Sequence, residues 1–178
     1  GEDFISLGIG HFIWYPKDKL GPFDESFPAL LKFIEEKGGA VPDWLKGPEK
    51  RYCPWGSREE FLRDRQDTKI RDLRKFLLET GALQLRFIVG RLNNALPKML
   101  ETAPEELRPN IERQFYRMAG TPAGIYALID YVNFKGAGIG DTERFQGGGW
   151  GLLQVLLGMQ EAPTSQEALR EFARSAKD

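Results

Sequence analysis

Hydrophobic positions recur at helical intervals along almost the whole 178-residue chain and change period in one place. Leu30, Leu31, Phe33 and Ile34 follow Asp24 or Ser26, either of which can cap a helix running to about Lys37. Pro28 fits its first turn, where no amide donor is needed, and Gly38-Gly39 ends it. Ser57 followed by Glu60 makes a capping box for a helix to about Asp64, and a second helix is expected from Thr68 to Glu79, with Gly81 as punctuation. Ala82 to Leu100 sets Leu85, Ile88, Val89, Leu92 and Leu96 on one face, and Pro97 should kink or interrupt it. Two more helices are expected over Glu105–Met118 and Pro122–Val132. The second is apolar almost all round (Ile125, Ala127, Leu128, Ile129, Val132), which predicts a central buried helix. Trp150 to Met159 and an amphipathic stretch opened by Ser165 complete the helical set.

Near the amino terminus the pattern shifts. Ser6-Leu7-Gly8-Ile9-Gly10-His11-Phe12 alternates apolar and small residues, the period of a half-buried strand. Two glycines inside a strand are costly unless a backbone or ligand must come close. An aromatic exit, Ile13-Trp14-Tyr15, ends at Pro16. Residues 40 to 56 carry Pro42, Trp44, Pro48, Tyr52, Pro54 and Trp55, which predicts an ordered loop packed by its own rings, with Trp44 and Trp55 partly exposed. A glycine-rich loop covers 136 to 149. The expected fold is mainly α (α+β): a helical bundle around a buried central helix, with a small β-hairpin from about Ile5 to Trp14.

Composition narrows the chemistry. Twenty-five Lys and Arg against 26 Asp and Glu leave a net charge of −1, which argues against a nucleic-acid binder. No apolar run is long enough to span a membrane, and no signal-peptide pattern is visible. One cysteine, Cys53, allows no internal disulfide. One histidine, His11, makes a Cys-His nucleophile a coincidence of folding, and together they cannot build a structural zinc site. Neither a metal nor a cofactor is expected, and a monomer is.

The Ser6–Phe12 run resembles the strand and turn of phage-type lysozymes, in which Thr or Ser precedes an apolar-Gly-apolar-Gly-His run at the floor of a sugar-binding cleft. A second likeness lies at Asn133-Phe134-Lys135-Gly136-Ala137-Gly138, where that family ends its central helix in an amide residue and Gly-x-Gly; here one extra residue precedes the first glycine, and the loop is longer. Trp150-Gly151-Leu152-Leu153-Gln154 resembles a segment of soluble lytic transglycosylases, though its position does not fit that family. The resemblance implies one lysozyme-like domain over 1–178, with a small β and loop lobe at 1–56 and a helical lobe at 57–178, truncated at one or both ends. It implies a glycoside hydrolase of the muramidase type, cutting bacterial peptidoglycan or a related amino-sugar polymer between its amino sugars, in the periplasm or outside the cell. The alternative is an inactive lysozyme-like module that binds glycan or a protein partner.

Glycosidic hydrolysis needs two carboxyl groups, one of them protonated. The family's catalytic Glu lies on a helix before the strand, whereas only five residues precede Ser6. The catalytic candidates are therefore Glu2, just before the strand, Ser6 as holder of a water, and Glu143 in the glycine-rich loop. Asn133, Gly136, Gly138, Gln146 and Trp150 are the candidates for binding sugar. Each has a plainer reading: Glu2 a frayed terminal charge, Ser6 a polar strand position, Glu143 half of a surface ion pair with Arg144, the glycines simple turns, Trp150 core. His11 is expected to make a structural hydrogen bond.

Overall fold

A computed structural model describes residues 4–19, 21, 23–47, 52–140, 144–145, 148–149, 151–159 and 165–177, with backbone alone at 144–145, 148–149 and 165–166. The fold is mainly α with a small antiparallel hairpin near the amino terminus. The hairpin strands are β1 (Ile5–Leu7) and β2 (Phe12–Trp14). Then come α1 (Phe27–Glu36), α2 (Arg58–Arg63), α3 (Thr68–Glu79), α4 (Gly81–Thr102), α5 (Arg108–Ala119) and α6 (Pro122–Lys135). A two-residue ladder of β3 (Arg144–Phe145) with β4 (Gly148–Gly149) lies in the glycine-rich loop, and α7 (Leu152–Gly158) and α8 (Ser165–Ser175) follow. The chain divides inside α4 into two compact units, Gly1–Phe87 and Ile88–Asp178. The lobe boundary expected after residue 56 falls inside the first of them.

In the first unit Ile5 pairs with Trp14, Ser6 with Ile13 and Leu7 with Phe12. The single strand expected over 6–12 is thereby corrected, because Gly8 through His11 form the turn. Gly8 (φ +68°) and His11 (φ +50°) both hold left-handed backbone, which a strand does not accommodate. Around the hairpin the core is aromatic. Trp14 is fully buried, its ring centroid 4.7 Å from Phe27, 6.4 Å from Trp44 and 6.3 Å from Trp55. Phe87 receives Phe12 at 5.8 Å and Phe33 at 5.4 Å. The described part of 40–56 is thus held by its own rings, but Trp55, expected to be partly exposed, is buried.

Polar side chains fasten these loops. Ser26 stands at the N-cap of α1 without capping it; its hydroxyl instead accepts a hydrogen bond from Ile13 N at 3.1 Å, tying the helix start to β2. Gly38 N donates to Glu35 O and Gly39 N to Ile34 O, the paired bonds of a Schellman ending. The capping box of α2 forms with a shift. Ser57 Oγ accepts from Glu60 N, while Glu60 Oε2 reaches back to Gly56 N at 2.7 Å.

The second unit is built by helical stripes. Leu92, Leu96, Met99, Ile111, Met118, Leu128, Val132, Leu152 and Leu156 form one apolar cluster. Pro97 does not interrupt α4. Proline removes a bond to the carbonyl four residues earlier, and both Pro97 and Asn93 are exposed, so water can serve that carbonyl. Ile88, Leu92 and Leu96 are buried as expected, whereas Leu85 and Val89 are exposed. The expectation for α6 is likewise narrowed. It buries only the stripe Gly124, Leu128 and Val132, and Tyr126 on another side is 71% exposed.

Candidate functional site

The hairpin places Ser6 on the wall of a cavity of about 450 Å³ within the first unit. Phe4 and Ile5 line it from β1 and the residue before; Trp55, Phe61 and Leu62 close it from the loop and α2. The period-2 register exposes Ser6 while turning Leu7 inward. Ser6 Oγ and His11 Nδ1 stand 3.4 Å apart and share a hydrogen bond, the structural role expected of His11.

Gly56, Ser57 and Arg58 also line the cavity and bring polar groups to it. Gly56 O accepts from Lys19 Nζ at 2.8 Å, and Ser57 is occupied by its cap. Arg58 carries the one charged side chain among the described residues that line the cavity, and no carboxylate is among them. Such a mixture of aromatic and aliphatic walls with a few polar groups suits a ligand having both apolar faces and hydroxyl or anionic groups.

The hairpin is anchored from behind by Gln84, a fully buried side chain. Its Oε1 accepts from Ile9 N at 3.1 Å; its Nε2 donates to Leu77 O at 2.6 Å and to Thr80 Oγ1 at 3.1 Å. Gly8 has no side chain for a second reason besides its φ: a Cβ there would stand 2.5 Å from Gln84 Oε1. The close approach at Gly8 is made by the protein's own Gln84 side chain.

Nearby, Glu25 Oε1 accepts a hydrogen bond from Tyr15 N at 2.7 Å. Burial raises its pKa above the ordinary carboxylate value, and the Tyr15 bond opposes that rise. Cys53 N donates to Tyr15 O, and burial pushes the Cys53 thiol up to about 11. A thiol so protonated is a poor nucleophile.

In the second unit, Asn133, Gly136 and Gly138 come together at the end of α6. Their backbone is already engaged. Gly136 O accepts from Leu152 N at 3.1 Å, Ala137 O from Leu153 N at 3.0 Å, and Gly138 O from Gln154 Nε2 at 3.0 Å. Gly138 (φ +80°) and Gly151 touch so closely that a Cβ on Gly151 would collide with Gly138 N and Cα. Gly136 O and Ala137 O thus cap the first amides of α7, and Gly138 O is held by the Gln154 side chain. Asn133 differs. Its Oδ1 is buried with no hydrogen-bond partner among the described residues.

Ser6 belongs to the first unit, and Asn133, Gly136 and Gly138 to the second. Glu2, Glu143, Gln146 and Trp150 lie outside the described residues. Arg58 and Gln84 went unnoticed in the sequence. The capping box one residue away did locate Arg58 at a helix start, but nothing local ties it to Ser6. Among the described residues, no group of three or more His, Cys, Asp or Glu is placed to hold a metal ion, and no helix is long and apolar enough to cross a membrane.

No family model, no curated protein and no solved structure matches the chain.

Proposed function

We propose that this chain is a lysozyme-like domain directed at peptidoglycan or a related amino-sugar polymer, in the periplasm or outside the cell, with the cavity beside Ser6 as a sugar-binding site. The observation that carries the reading is the Ser6 hairpin forming one wall of an aromatic-sided cavity of about 450 Å³. Sugars present apolar ring faces and polar edges, and such walls serve both.

Binding is favoured over cutting. A general acid contributes about 10²- to 10⁴-fold to such a reaction, and no carboxylate lines this cavity among the described residues. Glu25 has the raised pKa that a general acid needs, but its carboxylate serves Tyr15 N and is not among the cavity's lining groups. The hydrolase reading, acid/base cleavage between amino sugars, therefore requires a carboxyl from elsewhere, Glu2 and Glu143 being its candidates.

Co-sedimentation with purified cell walls tests the first reading, and turbidity loss tests the second. The chain is expected to sediment with the walls and to clear them poorly. Ser6→Trp, which fills the cavity from an exposed strand position, should abolish sedimentation. Equal sedimentation of that variant, or none by the wild type, overturns the binding site; rapid clearing by the wild type would restore the hydrolase.

A further inference from the structure

The charge balance at the cavity narrows the ligand, given the sugar-site reading just proposed. Ten described residues line the cavity, and Arg58 is the one with a charged side chain. Arg58 is exposed and makes no ion pair or side-chain hydrogen bond among the described residues. The position does not serve the helix. Arg58 is the first residue of α2, and a cation at a helix start is disfavoured by the aligned peptide dipoles. Glu59 follows it and faces solvent, while Glu60 is turned to Gly56 N.

A second cation is bonded to the cavity's lining. Lys19 Nζ is held 2.8 Å from the carbonyl of Gly56, which itself lines the cavity. Glu60 Oε2 accepts from the Gly56 amide at 2.7 Å. Phe4, Ile5, Phe61 and Leu62 line the same cavity with apolar side chains. A cation beside apolar side chains fits a ligand whose carboxylate sits next to a small apolar group.

We propose that Arg58 is a specificity-determining residue that makes the cavity select a carboxylate-bearing amino sugar over a neutral one. The guanidinium fork matches a carboxylate in two parallel hydrogen bonds, which an ammonium cannot reproduce. A neutral sugar of the same ring leaves Arg58 in water, losing nothing and gaining nothing. Selection therefore arises from the acid group alone.

Calorimetric titration with two disaccharides decides the matter. One is N-acetylglucosaminyl-N-acetylmuramic acid, which carries a lactyl carboxylate; the other is chitobiose, which is uncharged. At low salt the acidic sugar should bind about tenfold more tightly, the scale of one charge-assisted hydrogen bond. Arg58→Gln should erase that preference, and Arg58→Lys should restore only part of it. Because Arg58 is exposed, unchanged circular dichroism is expected for both variants. Equal affinity for the two sugars, or a preference that survives Arg58→Gln, overturns the role of Arg58 and leaves the sugar site standing. Binding of neither disaccharide, with no sedimentation on walls, overturns both.

Discussion

The two units solve the same packing problem with different materials. The first, Gly1–Phe87, gathers Trp14, Trp44, Trp55, Phe12, Phe27 and Phe87 around a hairpin of two three-residue strands and fastens its loops with Ser26, Glu25 and Gln84. The second, Ile88–Asp178, packs Leu, Ile, Val and Met stripes of helices and fastens α7 through backbone at Gly138 and Gly151. Large flat rings bury much area with few residues, so a unit poor in regular structure can still close a core. They do not fix loop direction, and long-range polar ties must do so. Helices carry their own hydrogen bonds and need only a continuous stripe. A cavity survives where rings and loops meet, and Ser6 lies there.

The largest effect is expected at Trp14. Trp14→Ala should destabilise the first unit by about 3–5 kcal/mol, the usual result of emptying a buried aromatic site. Thermal unfolding followed by tryptophan emission reports it, since three of the four tryptophans belong to that unit. An unchanged midpoint would mean that the ring cluster is not the core. Gly151→Ala should cost the second unit about 1–3 kcal/mol, because the added methyl meets backbone that cannot rotate aside. Amide exchange should show loss of protection in α6 and α7 with β1 and β2 unaffected; equal loss in both units would break the comparison.

Gln84→Ala removes three hydrogen bonds and strands the Ile9 amide, a loss of about 1–3 kcal/mol. Faster exchange at Ile9 should accompany it, and an unaltered Ile9 amide would show that the turn holds itself. The smallest effect is a matter of pH. The folded pKa of Glu25 is raised above its ordinary 4.5, so the folded state binds its proton more tightly than the unfolded state does. The stabilisation is present below 4.5 and is lost as pH rises through the raised value. Denaturant midpoints measured across that interval should fall less in Glu25→Gln than in the wild type, and parallel slopes would remove burial as the governing influence.

Helices were legible because their signal is local. Ser57 with Glu60, the Leu92 and Leu96 line and the closing Gly38-Gly39 all announce themselves within a few residues. The hairpin was legible in extent, from Ile5 to Trp14, but its turn was hidden: alternation continues through Gly8 and Ile9, and only φ separates strand from turn there. For α6, apolar composition on every side concealed that burial follows one stripe and leaves Tyr126 in solvent. Of the candidate site, Ser6 was legible as a polar strand position. Arg58 was not, because its place in the cavity depends on α2 meeting β1, fifty residues apart in the chain. Gln84 was hidden for the same reason. Asn133 stands out in the sequence as an amide ending an apolar helix, and its Oδ1 is buried with no hydrogen-bond partner among the described residues.

Cys53 has a practical consequence. The single thiol of the chain is buried beneath Trp55 O and stays protonated until about pH 11. Oxidation and disulfide exchange both begin from an accessible thiolate. At neutral pH the thiol is therefore unreactive: the protein should give no disulfide-linked dimers when stored in air, and a maleimide dye should label it only after denaturation. Any covalent tag or fluorophore will need a cysteine introduced elsewhere, and the native one will not compete for it.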